Sequence, residues 1–140
     1  MLANIMAGAQ NLLTLDAVLA LVAGTVGGMV IGALPGFSAA MGVSLLIPIT
    51  YGMNPVAALT MLVAMYTSAI YGGSITAILC HTPGTPASAA TAIDGYQLTK
   101  KGRGMEAMGV ATFGSALGGT VSAIAMLLIA PALGAFSLKF

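Results

Sequence analysis

Charge is what this sequence has least of. Four Lys or Arg and three Asp or Glu make up 5% of its 140 residues, against roughly 25% in soluble domains. None lies between Asp16 and Asp94 or between Glu106 and Lys139, and each gap exceeds the ~20 apolar residues that cross a bilayer. A net charge of +1 offers no basic surface for nucleic acid, whose affinity comes chiefly from Lys and Arg on phosphates. One cysteine, Cys80, cannot form an internal disulfide, and with a single histidine it falls short of a structural zinc site. No metal or cofactor is expected. Paired carboxylates and a nucleophile–base pair are also missing, so an enzyme is the least supported class. No Lys or Arg precedes the first apolar stretch, so that stretch does not read as a cleavable signal.

What is present is 59% hydrophobic residue and 19 glycines. The pattern predicts an all-α, polytopic membrane protein in one transmembrane domain over 1–140, with broken or re-entrant helices at two Pro-Gly motifs. Residues 1–14 read as an amphipathic lead-in. Spanning helices are expected at 15–34, 56–80 and 107–133. The segments 39–47 and 85–91 are too short to cross and read as short or re-entrant pieces. Proline lacks an amide proton and disfavours helix in the residue before it, so Pro35-Gly36 and Pro83-Gly84 are natural breaks. Gly72-Gly73-Ser74, inside the second span, could kink or unwind it. Five charged residues fall in 94–106, read as a loop; Lys100, Lys101 and Arg103 make it cytoplasmic by the positive-inside rule.

Gly24, Gly28 and Gly32 recur every fourth residue, as do Gly114 and Gly118, which suits close helix approach. Cys80 reads as a small buried hydrophobe, and the ten methionines as packing. The stretches Leu34-Pro35-Gly36-Phe37-Ser38-Ala39-Ala40 and Thr82-Pro83-Gly84-Thr85-Pro86-Ala87-Ser88 echo each other. Paired interruptions of this kind point to a transporter binding site.

Three stretches in order, Gly32-Ala33-Leu34-Pro35-Gly36, then Tyr71-Gly72-Gly73-Ser74-Ile75-Thr76, then the run from Pro83 to Gly109, resemble the large permease subunit of the bacterial tripartite tricarboxylate transporters. Family members often carry an apolar residue where Thr82 stands and proline where Gln97 stands. The resemblance implies a secondary carrier of the bacterial inner membrane that takes up tricarboxylates or related carboxylates, driven by an ion gradient. It also implies two partners, a periplasmic solute-binding protein and a small membrane subunit. Family permeases are several times longer, so the chain is expected to be an amino-terminal portion.

The resemblance assigns no site residues; chemistry nominates them. With no Lys or Arg in the apolar runs, a carboxylate must be met by backbone amides and hydroxyls at helix N-termini. The substrate candidates are Pro35, Gly36, Ser38, Pro83, Gly84, Thr85, Ser88 and Thr91; plain turns capped by the same hydroxyls are the alternative. For a coupling ion the candidates are Gly72, Gly73, Ser74, Thr76 and His81, against the plainer view that the glycines admit a neighbouring helix and the histidine is a hydrogen-bonding residue in a polar cavity or at the interface. The competing function is a small glycine-rich membrane scaffold with no transport path, touching lipid and partner subunits only.

Overall fold

The computed structural model describes residues 2–137, so residue 1 and residues 138–140 of the expected domain lie outside it. The described residues form helices and no strand: α1 (Leu2–Leu12), α2 (Leu15–Ala33), α3 (Ala39–Thr50), α4 (Pro55–Cys80), a single 3-10 turn (Pro86–Ser88), α5 (Ala89–Lys100) and α6 (Gly104–Ser137). Three are long and apolar enough to cross a membrane, over Leu15–Ala33, Pro55–Cys80 and Gly104–Ala130. Hydroxyls along them bond back into their own helix, as Thr25 does to the Leu21 carbonyl, Thr60 to Val56 and Thr120 to Ala116. That leaves few polar groups for lipid to meet.

Glycine builds the core. On α2, Gly24 lies against the Met61 carbonyl and Ala64, Gly28 against Ser68 and Met65, and Gly32 against the Ala69 backbone, with no room for a Cβ at any of the three. The numbers rise together on both helices, so α2 and α4 run parallel. Ser68 Oγ adds a 3.3 Å bond to the Gly24 carbonyl. In lipid, where apolar surface gains little by burial against apolar surface, such close backbone approach holds helices together.

The parallel pair needs a return segment, and α3 supplies it. Gly42 packs on Ile31 and Met65, while Ile49 and Met53 line one cavity with Asp16 and Leu19 at the start of α2; α3 is therefore antiparallel to its neighbours. Its 12 residues rise only about 18 Å at ~1.5 Å each, short of a ~30 Å hydrocarbon core. Ser38 caps it, accepting from Met41 N at 3.2 Å, and Pro48 lies inside it.

Several expectations change. Gly72-Gly73-Ser74 neither kinks nor unwinds α4, which is one helix of 26 residues: Gly72 faces Met29 and Gly73 faces Thr85, so the glycines serve packing. The segment 94–106 is largely helical, with α5 running to Lys100 and α6 starting at Gly104; residues 101–103 alone connect them. The 85–91 piece is the 3-10 turn leading into α5. Cys80 is exposed rather than buried, as the last residue of α4. Beyond the predicted end at 133, α6 continues to Ser137, and its Gly114 and Gly118 have nothing within 4 Å of an added Cβ.

Candidate functional site

The second Pro-Gly motif folds back beside α4. His81 ends that helix in the left-handed conformation, φ 57°, and the chain then doubles back so that Gly84 N meets the Gly73 carbonyl at 3.5 Å. Seven residues separate Gly73 from Cys80, about 10 Å of helix. Gly84 also presses on the Gly32 carbonyl, where a Cβ would not fit. The end of α2, the middle of α4 and the second Pro-Gly turn thus converge on three glycines.

From there α5 climbs back, with Gly95 against Ile78 and Thr99 Oγ1 donating to the Ile78 carbonyl at 2.7 Å. The next helix descends: Gly104 lies by Leu79, and the Tyr71 and Thr112 hydroxyls meet at 2.6 Å. The chain therefore makes two inward excursions from opposite ends of α4, one by α2 and α3, one by residues 81–88 and α5. Their tips meet.

Between the tips is a cavity of about 270 Å³ lined by Gly36, Phe37, Ser38, Pro83, Gly84, Thr85 and Pro86. Five of the eight substrate candidates line it. Pro35 is exposed beside it. Ser88 lies under Thr85, with 1% and 3% of their surfaces exposed; Ser88 Oγ donates to the Thr85 carbonyl at 2.7 Å and accepts from Thr85 N at 3.3 Å. Thr91 faces a different cavity, together with Ser74. Phe37 and Pro86 are lining residues that the sequence reading left out, although both sit inside the echoed motif.

The lining is mostly apolar and carries no charge: Ser38 and Thr85 bring its hydroxyls, and no Lys, Arg, Asp or Glu contributes to it. The first-turn amides of α3 have no intrahelical partners, and helix N-termini carry about half a positive charge. Such a pocket attracts an anion by dipoles and hydroxyls. Its volume is near the lower bound of ~300–1,000 Å³ typical of small-molecule sites, which favours a compact ligand.

Of the remaining candidates, Gly72 and Gly73 are buried in helix contacts, and Thr76 Oγ1 donates to the Gly73 carbonyl at 3.1 Å. His81 is exposed. Its ring stacks on Tyr96 with centroids 4.5 Å apart, and Nδ1 lies 3.3 Å from the Ala92 carbonyl. Lys100 Nζ stands over the Tyr96 ring, 4.9 Å from its centroid. Arg103 Nε donates to Glu106, and this bond, with the charge attraction, raises the guanidinium pKa further. Both side chains are about 60% exposed, so the pair fixes a local geometry more than it stabilises the fold.

A model of the tripartite tricarboxylate transporter TctA family matches residues 18–140. A curated relative from Agrobacterium vitis, described as an uncharacterized 52.8 kDa protein in the TAR-I ttuC' 3' region, is 39% identical over all 140 residues. The chain spans 28% of that relative's length. No solved structure matches.

Proposed function

Because this chain belongs to the tripartite tricarboxylate transporter TctA family, we propose that it forms part of a secondary carrier that imports tricarboxylates or related carboxylates across the bacterial inner membrane. An ion gradient drives the carrier, a periplasmic solute-binding protein delivers the substrate, and a small membrane subunit completes the assembly. The family is one of transporters rather than enzymes.

One observation carries the site: the two Pro-Gly turns line a single cavity that lies well inside the length of α4. Gly73, which touches both Gly84 and Thr85, is about 27 Å along the helix from Pro55 and about 10 Å from Cys80. With Lys100, Lys101 and Arg103 on the cytoplasmic side, α2 and α3 dip from the periplasm and residues 81–88 dip from the cytoplasm. Interrupted helices that meet inside the membrane are the usual makings of a carrier site. The carboxylate is held by the first amides of α3 and by the Ser38 hydroxyl, joined by Thr85 when its hydroxyl turns from Ser88 Oγ, to which it donates at 3.3 Å, towards the ligand. A scaffold would gain nothing from such interruptions, which leave backbone groups to be satisfied away from water.

The test is substrate affinity in the carrier. Ser38→Ala and Thr85→Val should each weaken citrate affinity about tenfold, on the order of 1.4 kcal/mol for a hydrogen bond to a charged group, at normal membrane abundance. Unchanged affinity in both variants would overturn the assignment.

A further inference from the structure

Ser88 does not line the shared cavity, yet the hydrogen bonds of its hydroxyl all go to one residue that does. Its Oγ donates to the Thr85 carbonyl at 2.7 Å and accepts from Thr85 N and from Thr85 Oγ1, each at 3.3 Å. We infer that Ser88 is a positioning residue, which never touches the carboxylate and sets its affinity by fixing Thr85 and holding the Thr85 hydroxyl until a ligand takes it. The inference rests on the carrier reading of this cavity.

The three bonds divide the work. A serine oxygen carries one proton and two lone pairs, and the shortest bond takes the proton. The two longer ones fill the lone pairs, so Ser88 has nothing left to offer a ligand. Thr85 differs. Its carbonyl also accepts from Ser88 N at 3.0 Å, whereas its hydroxyl donates in one 3.3 Å bond. A hydroxyl proton rotates to suit its partner while the oxygen stays in place. Turning it from Ser88 to a carboxylate exchanges a long neutral bond for a charge-assisted one, which is shorter and about twice as strong. The Thr85 backbone remains bonded to Ser88 throughout.

Burial gives the pair one open side. A Cβ on Gly73 would stand 2.8 Å from Thr85 Oγ1 and 3.1 Å from Ser88 Oγ, so α4 closes the space behind them and the cavity lies in front of Thr85. Without the Ser88 hydroxyl, the Thr85 N–H is buried with no acceptor, which a fold resists. The room to relieve it lies towards the cavity, and a shifted Thr85 meets the ligand out of register. The same reciprocal bonds cap the turn Pro86–Ser88, so the experiment has to separate a positioning role from a structural one.

That experiment is equilibrium binding of radiolabelled citrate to the purified carrier in detergent, with Tm recorded for every variant. Ser88→Ala should raise the citrate Kd about fivefold, as residues in direct contact couple, and by the same factor in a Ser38→Ala background. In Thr85→Val, which has no hydroxyl to position, adding Ser88→Ala should leave Kd unchanged. Ser88→Cys keeps a weaker donor and acceptor. It should show a smaller rise with the same dependence on Thr85, and it serves if Ser88→Ala does not fold. A structural role alone would lower Tm and weaken binding equally in all three backgrounds, and that result would overturn the inference. So would an unchanged Kd when Ser88 alone is replaced. If Thr85→Val binds citrate as tightly as the wild type, the cavity reading fails and takes this inference with it; a loss there with no effect of Ser88→Ala removes only the positioning role.

Discussion

At the first Pro-Gly turn the chain is held by little beyond itself. Phe37 N bonds back to the Leu34 carbonyl at 3.3 Å, Ser38 caps its own helix, and an added Cβ on Gly36 meets nothing within 4 Å. At the second turn, Gly84 is wedged between Gly32 and Gly73, and Thr85 and Ser88 are buried and bonded to each other. Two similar heptapeptides thus make one turn anchored to the core and one held mainly by its own bonds. A carrier needs a fixed wall to define its ligand and a movable one to admit it.

The largest expected effect comes from unseating the anchored turn. Gly84→Ala places a methyl group against the Gly32 carbonyl and the Gly73 backbone, where no flexible side chain can yield. Overpacking of this kind should cost about 3 kcal/mol or more, seen as a large fall in the Tm of the detergent-solubilised protein. Gly36→Ala meets no clash but must hold φ +92°, a region that costs an L-residue about 1 kcal/mol. Its Tm should fall measurably less. Equal losses at the two positions would erase the distinction between anchored and self-held turns. A gentler probe leaves stability alone: with Lys101→Cys in a Cys80→Ala background, a membrane-impermeant thiol reagent should fail to label intact cells. Ready labelling would invert the orientation, so that the self-held turn would belong to the cytoplasmic half.

Much of this arrangement was legible in residue spacing. Glycines four apart on α2 announced a close helix contact, and proline fixed where α2 ends and where α3 and the second turn begin. The partner of that contact was not legible, because one small stripe looks like another: Gly24, Gly28 and Gly32 are filled by α4, whereas Gly114 and Gly118 face open space. Gly72-Gly73 misled for a related reason. Glycine costs a helix about 1 kcal/mol relative to Ala, which reads as weakness in a sequence, yet here the missing side chains let Met29 and Thr85 approach. The polar run 94–106 read as a loop because charge outweighed periodicity; its helical part is fastened by Gly95 on Ile78 and by the Thr99 hydroxyl on the Ile78 carbonyl, contacts made across the chain. The cavity that Ser74 and Thr91 share was out of reach for the same reason, since its lining comes from three helices.

If both turns face one carboxylate, a single bound ligand shields both. Phe37 from the first turn and Pro86 from the second both line the shared cavity, and neither is given a bond to the ligand. In the Cys80→Ala carrier, Phe37→Cys and Pro86→Cys would each be labelled with a small thiol reagent, with and without citrate at constant ionic strength. Citrate should slow labelling at both positions with the same half-maximal concentration. Protection at only one turn, or different concentrations at the two, would contradict a single shared site.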